Sequence, residues 1–337
     1  MPRRLPPQAL DEAAAALRAG HPVAIPTETV YGLAADAWQP DAVAAVFAAK
    51  GRPSSDPLIV HISPGLLGGR GVAAGLEALG LIAHGADPRI DTLAAAFWPG
   101  PLTLVLPRGP RVTDAITAGL PDVAVRMPAH PTALDLIDRT GRPLVAPSAN
   151  RFGRISPTTA EAVVAELEGR VGLVLDGGPC AVGVESTVLR LADRLLLRPG
   201  LITAADLAPF LGAPPTSATG TTAGPQPAPG MLASHYAPRT PLVLAPPATL
   251  EAARQRGGRL GWLGWSRGAD ADVVEVLSPN GDPAEAARRL YAALRALDAA
   301  GCALLVAERP PGTDGLSLAI ADRLRRAAAG TPPLSLP

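Results

Sequence analysis

An α/β protein of two units is predicted by three features of the sequence. Short apolar runs alternate with segments that carry helix start and stop signals. A stretch rich in Pro, Gly, Thr and Ser interrupts that alternation after residue 212. The 337 residues, 47% of them hydrophobic, suffice for two cores. Gly and Pro, 35 and 39 residues, stay below the share that signals disorder and mark many loops.

The elements follow in order. "PVAIPT" (22–27) is an apolar run closed by proline and reads as a buried strand. "PTETVYGLAADA" (26–37) reads as a polar turn followed by a helix. "DAVAAVFAAKG" (41–51) opens on Asp and closes on Gly, so it is a helix. Strands are expected at 57–62, 102–107, 122–127, 143–148, 172–178, 186–191 and 194–200, with helices at 73–84, 89–97, 131–140 and 158–168. Eight such strands point to a twisted mixed sheet with helices on its faces. Residues 213–240 read as a linker, and "SHYAP" (234–238) within it carries more chemistry than a spacer needs. Beyond it, strands at 241–245, 259–264, 272–277 and 303–307 alternate with helices at 248–256, 283–298 and 316–328, a smaller Rossmann-like and mostly parallel unit. The expected units are 1–212, the linker 213–240, and 241–337. No GxGxxG and no P-loop motif occurs.

Composition excludes several classes. A net charge of +0 and 3% aromatics disfavour a protein that mainly grips a nucleic-acid backbone, so no strong direct binding of a nucleic acid, tRNA or other, is expected. Cys180 and Cys302 are far apart, and no HExxH or CxxC spacing occurs, which disfavours a disulfide framework or a zinc site. Arg3, Arg4, Asp11 and Glu12 interrupt any signal-peptide core, and no apolar run is long enough to span a bilayer. A cytoplasmic protein with no membrane partner is expected.

Of 30 Lys and Arg residues a single one, Lys50, is lysine. Lysine is a compact charge on a flexible stem, and arginine does not replace it where that shape matters. Lys50 and Arg52 flank a glycine after a helix, where two cations would bind an anion; Lys50 would equally complement the helix dipole. Thr27, Glu28, Thr29 and Tyr31 cluster behind the first strand, at the kind of strand end where α/β folds bind ligands. His61 lies within a strand, as a structural histidine would. Arg126 in "DVAVRM" faces either solvent or an anionic ligand. "PLVAPSANRFGRISPTT" (143–159) runs from a strand into a donor-rich loop with Ser148, Asn150 and Ser156; these are turn formers or anion ligands. "GVESTVLRL" (183–191) and "LLLRPG" (195–200) add Glu185, Ser186 and Arg198.

The strings "PTETVYGLA", "KGRP", "PLIVHI", "FWPGPLTLVL", "VAVRMP", "APSAN", "GVESTV", "LRPG" and "HYAP" occur here in this order. In them the chain resembles the YrdC-like threonylcarbamoyl-AMP synthases in their long, two-domain form. The resemblance implies a YrdC-like twisted sheet with a concave cavity and an enzyme that makes threonylcarbamoyl-AMP and pyrophosphate from L-threonine, bicarbonate and ATP, with Mg²⁺ accompanying ATP. A downstream tRNA threonylcarbamoyltransferase complex would then modify tRNAs that read codons beginning with A. Residue by residue, it implies that Thr29, His61, Arg126, Ser186 and the backbone at Ala146 hold threonine. Arg52, Asp56, Asp122, Ser148, Asn150, Ser156, Arg198 and Tyr236 are expected at the nucleotide, and Lys50 with Arg52 at the reacting phosphates or carbamate. Asp56 and Asp122 depart from the family pattern; Asp56 is expected to bind a metal, pair with Arg52 or face the sugar. "SHYAP" would fold over the nucleotide as a lid, protecting a labile adenylate from water. Two alternatives are an RNA-binding or ribosome-associated module and a carbamoyltransferase of the hydrogenase-maturation kind; the neutral charge weakens the first and the scarcity of cysteine the second.

Overall fold

The computed structural model describes residues 1–218, 230–231, 234–255, 257–313 and 315–332. The first unit comprises β1 (Arg3–Leu5), α1 (Leu10–Arg18), β2 (Val23–Ile25), β3 (Gly32–Asp36), α2 (Pro40–Lys50), β4 (Ile59–His61), α3 (Val72–Ala78), α4 (Arg89–Phe97), β5 (Leu102–Pro107), α5 (Asp114–Thr117), β6 (Asp122–Arg126), α6 (Pro131–Thr140), β7 (Leu144–Val145), α7 (Ala160–Glu166), β8 (Leu173–Leu175), β9 (Thr187–Arg190), β10 (Leu195–Arg198), α8 (Ala204–Leu211) and β11 (Thr216–Ser217). Its strands form one mixed sheet in the order β1-β8-β2-β3-β7-β4-β6-β5-β9-β10-β11. The second unit comprises β12 (Leu242–Leu244), α9 (Leu250–Arg254), β13 (Leu260–Gly264), β14 (Val273–Val276), α10 (Pro283–Ala299), β15 (Leu304–Ala307) and α11 (Gly315–Ala328). Its four strands are all parallel, in the order β12-β15-β13-β14.

The mixed sheet and the smaller parallel sheet have the expected architecture. One expectation fails: residues 32–36 form β3, not a helix, pairing antiparallel with β2 and β7. "GLAAD" carries little intrinsic strand preference, and the two ladders decide its conformation. β1, β11, α1, α5 and α8 were not anticipated either. The expected linker at 213–240 lies partly outside the described residues.

Period-2 alternation sets up the site. β4 and β6 run parallel, with Ile59 opposite Ala124 and His61 opposite Arg126. Ile59 and Ala124 pack with Val105, Val188, Leu197 and Met231 on this face. His61 and Arg126 follow them on the same face, carried to the strand ends. The two units share a further core, in which Val30, Ile155, Val184 and Tyr236 pack with Leu290, Tyr291, Leu294, Ile320 and Leu324. Gly183 makes the close approach possible. It has φ +86°, and a Cβ there would lie 2.4 Å from the carbonyl oxygen of Ala287 on α10.

Gly183→Ala should therefore lower stability by about 1–3 kcal/mol, through strain and displacement of α10. Calorimetric melting should show a midpoint lower by about 2 °C or more; an unchanged midpoint would contradict the close contact.

Candidate active site

The site grows out of four strand ends and the loops that leave them. After β2 the chain turns on Thr27, whose Oγ1 donates to the Val30 carbonyl at 2.6 Å and accepts from the Thr29 amide at 3.2 Å. This turn presents Glu28 and Thr29 to Arg126. Arg126 Nη1 donates to Thr29 Oγ1 at 3.0 Å, and Nη2 lies 2.6 Å from Glu28 Oε1. His61, beside Arg126, places Nδ1 3.2 Å from the Ile59 carbonyl. Burial first, and Arg126 second, push its pKa down to about 3. The ring is thus neutral at pH 7, with a proton assigned to Nδ1 by the carbonyl contact and a lone pair on Nε2.

Arg52 follows α2. Its Nη2 donates to the Pro57 carbonyl at 2.7 Å and pairs with Asp56 Oδ2 at 2.9 Å, and Nε donates to the Asp56 carbonyl at 3.1 Å. Of the three roles expected for Asp56, pairing with Arg52 is the one observed. Burial pushes the Asp56 carboxyl up, and Arg52 opposes that shift. Arg198 ends β10 and donates from Nε to the Ser186 carbonyl at 3.0 Å and from Nη2 to Ser186 Oγ at 3.1 Å.

Lys50 is buried but does not line the cavity. Its Nζ donates to the carbonyls of Ser148 and Asn150 at 2.5 and 2.6 Å. Phe152 N returns a hydrogen bond to the Lys50 carbonyl at 2.8 Å. The ammonium therefore gathers the 148–152 loop around itself. Burial, then the charge of Arg52, holds its pKa well below the usual range.

The cavity is lined by Thr29, Arg52, His61, Arg126, Ala146, Ser148, Arg198 and Tyr236 among the residues expected at the site, together with Glu185, His235 and Gly230. Its free space is about 50 Å³, room for a few water molecules. Asn150, Ser156 and Ser186 stand behind that lining. Asn150 Nδ2 donates to the carbonyls of Arg151 and Arg154, both at 2.8 Å; Ser156 donates to Glu185 at 2.6 Å; and Ser186 Oγ lies 2.7 Å from Thr103 Oγ1. Asp122 lies at the far end of β6 from Arg126, roughly 13 Å along the strand. Burial raises its pKa, and its charged neighbours are Arg190 and Asp193 rather than any cavity residue. Tyr31 is engaged elsewhere, donating to the Gly178 carbonyl at 2.8 Å.

Residues 234–238 close one wall. Tyr236 is buried at φ 63°, a left-handed conformation uncommon for an aromatic residue. Its hydroxyl has no hydrogen-bond partner among the described residues. Gly230 has φ +78°, and a Cβ there would lie 2.3 Å from Tyr236 Oη and 3.0 Å from Arg198 Nη1. Ala237 N donates to the Gly153 carbonyl at 2.8 Å, so this segment is stitched to the loop that Lys50 gathers.

A family model described as "Telomere recombination" matches residues 15–200, and one described as "Threonylcarbamoyl-AMP synthase, C-terminal domain" matches residues 202–329. The chain belongs to the threonylcarbamoyl-AMP synthase family. A relative of that name from Bacillus subtilis is 42% identical over 95% of this chain and 92% of its own length. One from Pyrococcus abyssi is 40% identical over 94% of this chain and 93% of its own length. A P. abyssi crystal structure complexed with L-threonine superposes with a TM-score of 0.87 at 37% identity, covering 97% of both chains. These matches support the synthase reading over both alternatives.

Glu28 and Glu185 were legible as polar residues in turn motifs, but their pairing with arginines was not. Arg323 and Tyr291, which meet Glu185 from the second unit, gave no signal; each sits in an ordinary amphipathic helix pattern.

His235 resembles His61: burial first, then Arg52, pushes its pKa down to about 3. Unfolded histidines titrate near 6.5. As pH falls below that value the unfolded chain takes up protons that the folded one refuses. Stability is therefore lost between about pH 6.5 and 3, by about 1.4 kcal/mol per pH unit for each histidine. Denaturant titrations from pH 6 to pH 4 should show His61→Gln flattening the slope by about that amount; an unaltered slope would mean that His61 is not buried neutral.

Proposed function

We propose that this chain condenses L-threonine, bicarbonate and ATP into L-threonylcarbamoyl-AMP and pyrophosphate. One observation carries the reading. Arg52, Arg126 and Arg198 converge on a single buried cavity beside the neutral acceptor His61, in a chain 37% identical to a protein crystallised with L-threonine. A carboxylate, a bicarbonate and a triphosphate repel one another, and fixed guanidinium groups in a water-poor site offset that repulsion.

Under this reading Arg126 takes the threonine carboxylate, with Thr29 and the Ala146 backbone around it, and His61 Nε2 accepts from the ammonium or hydroxyl; Ser186, behind the lining, acts through Arg198. Nitrogen bonds to the bicarbonate carbon and the C–OH bond breaks. Of the two protons the ammonium sheds, one leaves in water with that hydroxyl and one passes to solvent. A carbamate oxygen then bonds to the α-phosphorus as the bond to pyrophosphate breaks. Arg52, Arg198, Ser148 and Tyr236 face the nucleotide. Asn150, Ser156 and Lys50 shape the wall behind them, and Asp56 acts through Arg52. Catalysis rests on positioning and charge neutralisation. No group of three His, Cys, Asp or Glu residues suited to a metal occurs among the described residues. Glu28 and Asp56 are held by Arg126 and Arg52, and Glu185 by Arg323. Among the described residues the side chains thus form no cage for magnesium, whose ligands would come from ATP and water.

The free space beside Gly230, His235 and Tyr236 is small for ATP, which supports a lid role for Tyr236 and its neighbours. The product is a mixed anhydride, to be consumed by a transferase acting on tRNA adenosine. Under this reading the enzyme acts in the cytoplasm, and the buried, unbridged Cys180 and Cys302 suit a reducing compartment. No helix among the described residues is long and apolar enough to cross a membrane.

Incubation with ATP, labelled bicarbonate and each amino acid in turn should yield a labelled adenylate with threonine; absence of threonine-dependent pyrophosphate release would sink the proposal. Arg126→Gln should weaken threonine binding by about 10- to 100-fold in calorimetry, the worth of a charge-assisted pair. Tyr236→Ala should lower the yield of intact adenylate more than it lowers threonine affinity; equal losses would remove the lid.

A further inference from the structure

We infer that Arg323, on α11 of the second unit, is a positioning residue for the nucleotide side of the site, acting through Glu185 and Tyr236. The inference goes beyond the proposed function and rests on it for the identity of the nucleotide.

Glu185 lines the cavity and is 6% exposed. Its carboxylate receives three side-chain donors. Ser156 comes from the first unit at 2.6 Å; Tyr291 Oη of α10 and Arg323 Nε of α11 come from the second, each 2.9 Å from Oε2. Burial alone would push the Glu185 carboxyl up, but Arg323, Arg198 and the hydrogen bonds outweigh it and hold it low. Glu185 adjoins Ser186, whose carbonyl and hydroxyl both receive Arg198. A displacement of Glu185 is thus passed by one peptide bond to a cavity guanidinium.

The same guanidinium touches the lid segment. The Arg323 guanidinium carbon lies 5.4 Å from the centre of the Tyr236 ring, and Tyr291 flanks that ring with a centroid separation of 6.0 Å. His235 N donates at 3.3 Å to the carbonyl of Arg326, about one helical turn beyond Arg323. A left-handed aromatic residue persists only where its surroundings over-determine it; here Tyr291 and Arg323 of the second unit are part of those surroundings. Arg323 is itself 1% exposed and held by Asp322 at 3.0 Å. Removing it leaves a buried carboxylate without the cation that is hydrogen-bonded to it and Tyr236 without the cation against its ring.

The test uses the full-length chain and calorimetry with a non-hydrolysable ATP analogue and with L-threonine. Arg323→Met preserves bulk and removes the charge. It should weaken analogue binding by about tenfold while leaving threonine affinity within about twofold. Analogue affinity equal to the wild type, or parallel loss of both ligands, overturns the role. Should Arg323→Met fail to fold, Tyr291→Phe decides: it deletes one hydroxyl contact to Glu185 and should weaken the analogue about threefold, again sparing threonine. An unchanged analogue affinity in Tyr291→Phe would then overturn it. Wild-type protein that releases no threonine-dependent pyrophosphate would instead count against the proposed function.

Discussion

Four cationic side chains are held out of water in one half of the molecule, and the rest of the structure accommodates that constraint. An unpaired buried charge costs several kcal/mol, so each needs compensation within reach. Arg52 has Asp56 and two carbonyls, Arg126 has Glu28 and Thr29, Arg198 has Ser186, and Lys50 has two carbonyls of the next loop. The compensation also locks each group in place before any substrate arrives. Fixed donors in a site of low dielectric strengthen their attraction for anions and need no reorganisation during reaction.

The compensating groups come from strand ends and loops distant in sequence, which explains the long mixed sheet. Parallel pairing of β4 with β6 sets His61 beside Arg126, and Arg126 then helps to keep that imidazole neutral. Lys50 illustrates the difference between being near a site and lining it. It reaches across about a hundred residues of sequence to two carbonyls, so its effect on the cavity passes through the shape of the 148–152 loop. A guanidinium, larger and planar, would not fit a point between those carbonyls in the same way.

The second unit is joined to the first by packing as well as by chain. Its helices α10 and α11 share a core with Tyr236 and Val184, and its Arg323 and Tyr291 reach Glu185. An aromatic residue from the connecting segment lies between the two units. The wall of the cavity is therefore a property of the whole chain.

Much of the architecture was legible in the sequence because it is local. Apolar period, helix caps and Pro/Gly punctuation located β4, β5, β6, α2, α6 and the elements of the second unit. The motif strings identified the family, and the lone lysine marked a place that matters. β3 was misread because its strand state comes from two neighbouring ladders and not from Gly-Leu-Ala-Ala-Asp itself. The partnerships of Asp56, Glu28 and Glu185, the inward turn of Lys50 and the reach of Arg323 were settled only by tertiary structure. A buried ion pair depends on distance and desolvation between residues far apart along the chain, and neither quantity is written in residue order.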